Sequence, residues 1–124
     1  MNARLYHLAT RDDWDARGRT YVPGQFAAEG FIHLSTAAQI GGVAERFYRN
    51  HDRLVLVTID PDRVTAPVRY ENLEGGETLF PHLYGPLDEQ AVIDSRLVRV
   101  DDRGRLLAES GGAIELDTGT DAPG

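Results

Sequence analysis

The chain has 124 residues and a formal net charge of −7, and its 41% hydrophobic and 27% charged residues suit one globular domain with its own core. It contains no cysteine and no lysine, which excludes disulfides, thiolate nucleophiles, Schiff bases and the lysine of a phosphate-binding P-loop. The acidic balance argues against non-specific binding to nucleic acid, and the lack of a long apolar run argues against a membrane span.

Strand and helix patterns alternate through the first half of the chain, and no secretory signal precedes them, so a cytoplasmic protein is expected. Residues 3–9 predict a first strand, and TRDDWDARGR predicts a short helix with Thr10 as its N-cap. Residues 18–28, which contain Pro23, predict a surface loop, and GFIHLS predicts a second strand. Thr36 and Gln39 form a capping-box pattern. The amphipathic helix that follows has a predicted apolar stripe of Ile40, Val43, Ala44, Phe47 and Tyr48.

The second half of the chain is rich in strand patterns. RLVLVTID, APVRYENL and AVIDSRLVRVD each predict a strand, the last of them closing the fold. TLFPHLYGPL reads as an extended segment, which its prolines, Pro81 and Pro86, are expected to place at a sheet edge or along a loop. The predicted fold is therefore α+β with a mainly antiparallel sheet. Residues 3–103 form a single domain in this interpretation, and residues 104–124 form a disordered acidic tail.

The segment EGFIHLST places an imidazole inside an apolar strand. Because side chains alternate across a strand, Phe31, His33 and Ser35 are expected to share one face, and Ile32 and Leu34 the core face. The first face would then meet the N-terminus of the following helix, whose free N–H groups favour an anion such as a phosphate. A half-buried histidine bonded to a carbonyl, beside a capping hydroxyl, is an equally good interpretation.

The segment LFPHLYGP repeats the combination of histidine and aromatic residues. An extended backbone would place Phe80, His82 and Tyr84 on one face, which suits stacking on a nucleobase or a nicotinamide ring. The prolines and the glycine fix the direction of these side chains. Aromatic side chains that simply fill the core are the alternative, and the pattern does not decide between the two.

The roles of the other polar side chains depend on which residues lie next to them in the fold. In VRYEN, Arg69 and Glu71 share a strand face, where Glu71 is either a solvated partner of Arg69 or a carboxylate that works with nearby imidazoles. His7 lies on a candidate central strand, where a structural role is more common than a catalytic one. His51 lies in a turn and is expected to be exposed and inert.

Four motifs, LYHLATRDDW, EGFIHLST, RYEN and LFPHLYGPL, together resemble the bacterial family known as domain of unknown function 952. The resemblance runs from about Leu5 to Val100, and the order and spacing of the motifs make it specific. It implies a fold similar to ADP-ribosyltransferases, with a split, mainly antiparallel β-sheet and two helices packed against it around a cleft. LYHLAT also looks like the first-strand motif of that superfamily, whose histidine contacts the ribose of NAD.

The resemblance further implies an enzyme that uses NAD as co-substrate, without a metal, and breaks the bond between nicotinamide and ribose. An ADP-ribosyltransferase and an NAD glycohydrolase both fit this description. The candidate catalytic residues are Glu71, which would stabilise the sugar cation, with His33 and His82. The candidate ligand-binding residues are His7, Ser35, Thr36 and Tyr84. The expected partner is a small nucleotide, and no protein partner is assigned.

Two further functions stay open at this point. The first is a domain that binds a nucleotide or a phosphorylated metabolite without catalysis. The second is a metal-dependent hydrolase that uses His33, His82 and Glu71, although no local spacing of these residues supports it. The leading hypothesis predicts that these three side chains converge on one cleft, with His7 nearby.

Overall fold

The computed structural model describes residues 3–73 and 75–116 and contains nine strands and three α-helices within them. The helices are α1 (Arg11–Asp15), α2 (Phe26–Glu29) and α3 (Ala37–Phe47). The strands are β1 (Leu5–Ala9), β2 (Thr20–Tyr21), β3 (Ile32–His33), β4 (Arg53–Ile59), β5 (Val68–Glu71), β6 (Phe80–Leu83), β7 (Leu87–Asp88), β8 (Val92–Val100) and β9 (Leu106–Leu107). None of the described helices is both long and apolar enough to cross a membrane.

The strands form three antiparallel groups that curl into a half-barrel. A four-stranded sheet has the order β1-β4-β8-β9, a three-stranded sheet has the order β3-β6-β5, and β2 pairs with β7. The main ladder, between β4 and β8, runs from Arg53 opposite Arg99 to Ile59 opposite Val92. The predicted α+β class with mainly antiparallel pairing is confirmed, although the described residues contain three α-helices instead of two.

One pair of residues joins the two larger sheets. Tyr6 on β1 and Ser35 after β3 exchange two backbone hydrogen bonds, in which each N–H donates to the other carbonyl over 2.8 Å. β1 therefore has hydrogen-bonded neighbours along both edges, with β4 on one side and Ser35 on the other. This bridge sets the three-stranded sheet against the four-stranded one and makes the space between them a cleft.

Both faces of the four-stranded sheet are buried, which explains the continuous apolar run of β4. Along β4, Val55, Val57 and Ile59 belong to one core cluster, and Leu54 and Leu56 belong to the other. The second cluster packs beneath α3. That helix begins as predicted at a capping box, in which the Thr36 N–H donates to Oε1 of Gln39 over 3.0 Å.

Two predictions about loops and edges are wrong. Residues 18–28 contain β2 and the first three residues of α2. β2 forms in spite of the turn residues nearby because Tyr21 is buried at 2% exposure and pairs with Leu87. The segment around Pro81 forms the central strand of its sheet. A proline is tolerated there because Pro81 contributes its carbonyl, which accepts from the Leu34 N–H over 3.0 Å.

The helix stripe and the acidic tail also differ from their predictions. Ile40 and Ala44 are buried as expected, but Phe47 is 54% exposed because it lies at the rim of the cleft. The disordered tail predicted from residue 104 is wrong up to residue 116. Leu106 is 8% exposed and pairs with Val100, so β9 completes the sheet edge beside α3. Residues 117–124 lie outside the described residues.

A substitution at Gly104 tests whether this C-terminal segment packs against α3. Its φ is 84°, and a Cβ there would lie 2.8 Å from the Cα of Glu45. Gly104→Ala is expected to lower the free energy of unfolding by roughly 2–4 kcal/mol in urea denaturation, from left-handed strain and overpacking together. Gly18→Ala, which meets nothing within 4 Å, is the control. Equal stability of the two variants would contradict the docking of this segment.

Candidate functional site

Antiparallel pairing aligns polar side chains across the three-stranded sheet. His33 on β3 pairs with His82 on β6, and Arg69 on β5 pairs with His82 from the other side. Glu71 pairs with Phe80 one step further along. Because directly paired residues share a sheet face, these side chains all project from the same surface. Three segments that are distant in sequence thus form one polar patch.

Glu71 is the centre of this patch. Its Oε1 accepts a hydrogen bond from the Tyr84 hydroxyl over 2.6 Å and lies 3.0 Å from Nδ1 of His82. The bond from Tyr84, and after it the bond from His82, lowers the pKa of Glu71 below its ordinary value. The carboxylate is therefore ionised at neutral pH, and its hydrogen bonds fix its direction.

The same contacts assign the proton on His82. An ionised carboxylate can only accept, so Nδ1 of His82 carries hydrogen and donates to Glu71. In the neutral ring Nε2 then holds the lone pair. His82 is only 4% exposed and lines the cleft. Its Nε2 is therefore a potential base for a bound ligand, in a ring that is largely shielded from solvent. Glu71 and His82 form a dyad in which the carboxylate orients the imidazole.

An aromatic cluster surrounds the dyad. The Phe31 ring stacks on His82 at 4.3 Å between centroids and lies 5.3 Å from the ring of Tyr84. His33 meets His82 edge-on at 5.3 Å. Its Nε2 lies 3.1 Å from Oε1 of Glu29, and because both side chains are well exposed this pair orients His33 while contributing little stability.

His7 lies behind the cluster and has protein partners at both ring nitrogens. Nδ1 lies 2.7 Å from the carbonyl oxygen of His33, so it must donate, and Nε2 accepts from the Tyr21 hydroxyl over 2.8 Å. Burial lowers the pKa of His7 from 6.5 to about 4, so the ring is neutral at physiological pH. These contacts link β1, β2 and β3, and they give His7 a structural role in holding the strand that carries His33.

A cavity of about 500 Å³ opens between the three-stranded sheet, β1 and α3. This volume lies inside the range of about 300–1,000 Å³ that is typical of small-molecule sites. Its wall includes the dyad, apolar side chains of α3 and the Tyr21 and Tyr48 rings. The lining carboxylates are Asp13, Glu29 and Glu71.

The structure brings together most of the residues that the sequence singled out. Glu71, His33 and His82 converge on the cavity, and His7 and Ser35 also line it. Thr36 and Tyr84 are absent from the lining. Thr36 caps α3, and the Tyr84 hydroxyl donates to Glu71. The roles assigned to these residues in ligand binding and catalysis stay predictions.

Several lining residues were missed or misread from sequence. His51 is half-buried and lines the cavity, so its prediction as exposed is wrong, and its prediction as inert stays a prediction. Tyr21 lay in the predicted loop, and Glu29 and Arg46 were not singled out from the sequence. Glu29 ends α2 four residues before His33, with the left-handed Gly30 between them, and its Oε1 lies 3.1 Å from Nε2 of His33.

The metal alternative gains no support from this geometry. Within residues 3–73 and 75–116, no group of three or more histidine, aspartate or glutamate side chains is arranged to hold a metal ion. The His33 and His82 rings are perpendicular at 5.3 Å between centroids, and their carboxylate partners are two different residues, Glu29 and Glu71.

These features define a small α+β protein with a curled, mainly antiparallel sheet and a polar cleft between its two halves. The chain belongs to the family described as protein of unknown function DUF952, whose model matches residues 8–95. Its fold is similar to the crystal structure of protein CC0527 from Caulobacter crescentus, with a TM-score of 0.73 and 29% identity over 83% of this chain and 92% of that one. The solution NMR structure of CC0527 gives a TM-score of 0.68 and 31% identity over 87% and 93% of the respective chains. No curated protein matches the chain.

The buried, neutral His7 predicts a pH-dependent stability. Since its pKa is about 4 in the folded protein and about 6.5 when unfolded, the unfolded chain binds more protons between these values. The free energy of unfolding should therefore fall by about 3 kcal/mol as the pH drops from 6.5 to 4. Urea denaturation across this range should show a flatter slope for His7→Gln. Arg19→Gln, at an exposed residue outside the cavity, should keep the wild-type slope.

Tyr84→Phe should change the ionisation of Glu71 while leaving the fold intact. Loss of the phenolic hydrogen bond, the largest cause of the lowered pKa, is expected to move the pKa of Glu71 upward toward its ordinary value. A carbon-13 NMR titration of the Glu71 carboxyl measures this directly. Tyr70→Phe alters an exposed ring on the face of β5 opposite Glu71, and it should leave the pKa of Glu71 unchanged. Identical titration curves for both variants would remove Tyr84 from the dyad's support.

Proposed function

We propose that this cleft binds a nicotinamide nucleotide and that the protein cleaves the bond between nicotinamide and ribose. The reaction would be that of an NAD glycohydrolase or an ADP-ribosyltransferase. The single observation that carries the proposal is the ionised Glu71 carboxylate, held in one direction by Tyr84 and His82 at the wall of an aromatic-lined cavity. The motif resemblance to ADP-ribosyltransferases supports the same chemistry.

Glycosidic cleavage suits this arrangement because charge develops on the sugar. As the bond from C1′ to the pyridinium nitrogen breaks, the electron pair leaves with nicotinamide and the ribose becomes an oxocarbenium-like cation. Glu71 is already ionised and oriented, so it stabilises that cation without reorganisation. Tyr84 and His82 keep the carboxylate in its charged form.

His82 acts on the acceptor, the molecule that adds to the ribose. A water or an acceptor hydroxyl adds to C1′ and loses one proton, which the free Nε2 of His82 can accept. Phe31 packs behind the imidazole and limits its rotation, while Glu71 fixes its tautomer. His33 lies at the open side of the same cluster, where its exposed ring can contact the ribose or the acceptor.

Glu71→Gln should lower the rate of nicotinamide release from NAD by roughly 10²–10³-fold, because an amide cannot stabilise the sugar cation. His82→Gln should lower it by about 10²-fold or more through loss of the base. Release is measured by chromatography at saturating NAD. Glu89→Gln changes the net charge by the same amount at an exposed residue outside the cavity and should leave the rate unchanged.

The same assay separates catalysis from binding alone. Wild-type protein that binds NAD in an NMR titration, with shifts around His33 and His82, but releases no nicotinamide would show a nucleotide-binding domain without catalysis. Absence of both shifts and turnover at millimolar NAD would remove nicotinamide nucleotides from consideration.

A further inference from the structure

β5 lies at an edge of the three-stranded sheet, and its pairing with β6 shows which of its backbone groups point outward. The Tyr84 N–H donates to the carbonyl of Pro67 over 2.8 Å, so these two residues form a hydrogen-bonded pair. Bonded and non-bonded pairs alternate along an antiparallel ladder. Arg69 and Glu71 therefore bond to β6, while the N–H and the carbonyl of Tyr70 point away from it.

The β6 side of the ladder agrees with this pattern. Pro81 lies opposite Tyr70 and has no N–H to donate, and its carbonyl accepts from the Leu34 N–H, on the β3 side of the sheet. Within the described residues, no hydrogen bond reaches the backbone N–H or carbonyl of Tyr70. The Tyr70 side chain is 53% exposed, and Arg69 is exposed as well, so this edge is open to a further strand.

A second copy of the chain fits this edge, because the charges along β5 are self-complementary. In a symmetric antiparallel pair, one residue lies opposite its own copy, and its two neighbours lie opposite each other. With Tyr70 at the symmetry axis, Arg69 of each copy lies opposite Glu71 of the other. With Arg69 or Glu71 at the axis, like charges would lie directly opposite, which is unfavourable. The charges therefore select the register that is centred on Tyr70.

We propose that two copies of this chain pair antiparallel through β5, with Tyr70 opposite Tyr70 of the partner subunit. The outward N–H of each Tyr70 donates to the outward carbonyl of the other, and the two three-stranded sheets become one sheet of six strands. The two tyrosine rings share the face opposite the cleft, where an aromatic cross-strand pair is favourable. The partner's Arg69 lies on the same face as Glu71, so each copy adds a side chain to the other's candidate site.

Glu71 has an oxygen available for this contact. Its Oε1 interacts with Tyr84 and His82, whereas its Oε2 has no hydrogen bond or ion pair in the part of the chain that the structure describes. The side chain is 26% exposed, so a guanidinium can reach it from outside. An ion pair this exposed adds little affinity, and its effect is to fix the register.

Hydrogen exchange of the Tyr70 amide tests the pairing in the unmodified protein. Because β5 has only four residues, the dimer should be weak, with a dissociation constant on the order of 100 µM. Raising the protein concentration from about 10 µM to about 1 mM should then slow exchange of the Tyr70 amide by roughly fivefold, since most chains are paired. The Arg69 amide, which bonds to β6 within one copy, is the internal control and should not change. Unchanged exchange of the Tyr70 amide at the higher concentration would overturn the proposal.

Charge reversal tests the register. Arg69→Glu should raise the dissociation constant in sedimentation equilibrium by roughly tenfold or more, because a carboxylate then lies opposite Glu71. Arg19→Glu makes the same change in net charge at an exposed residue and should have a much smaller effect. A dimer that resists Arg69→Glu and leaves exchange of the Tyr70 amide unchanged would use another surface and would overturn the assignment to β5.

A mixture of two variants gives the sharpest result. Arg69→Glu and Glu71→Arg proteins should each stay monomeric alone, but together they should form a heterodimer of about wild-type affinity, because opposite charges then face each other at both positions. Failure of two folded variants to associate would reject this register, and the Tyr70 amide decides if Glu71→Arg does not fold. All these measurements are made without substrate, so their outcome does not depend on the proposed cleavage of nicotinamide from ribose.

Discussion

The reciprocal backbone hydrogen bonds between Tyr6 and Ser35 are the constraint on which the cleft depends. They attach the three-stranded sheet to the edge of β1, so the dyad faces α3 across a gap instead of facing solvent. His7 reinforces the attachment one residue later, because its Nδ1–H donates to the carbonyl of His33. Both contacts act on the short segment between α2 and α3, whose alternate residues enter the core. A register slip of one residue there would exchange Ile32 with His33 and destroy the core and the site together.

The three-stranded sheet holds the Glu71 carboxylate in one direction and in its charged form without burying it completely. Its side chain is 26% exposed, so water still solvates part of the carboxylate. Tyr84 and His82 reach it from β6 and its C-terminal extension and hold it ionised. His7, in contrast, is kept neutral by burial. The two side chains, on β5 and β1, thus differ in charge at neutral pH, because Glu71 has donors directed at it and His7 has been removed from water.

Family membership fixes the architecture more firmly than the chemistry, because one fold can carry many functions. The similarity to CC0527 extends over most of both chains and concerns shape. The proposed function rests on the local geometry of the cleft, where two hydrogen bonds direct the Glu71 carboxylate.

The sequence by itself determined the local periodicities and the faces they create. Alternation placed Ile32 and Leu34 in the core, His33 on the opposite face, and Glu71 on the same side as Arg69, since a strand leaves a side chain only two directions. Capping chemistry also predicted the start of α3. Only the tertiary structure decided which faces meet: the central place of β6, the docking of Leu106 and the entry of His51 into the cavity all depend on contacts between segments distant in sequence. Long-range packing of this kind leaves no local period, and it overrode the turn residues around Tyr21 and the polar composition after Gly104 because burial of apolar side chains favours the packed arrangement.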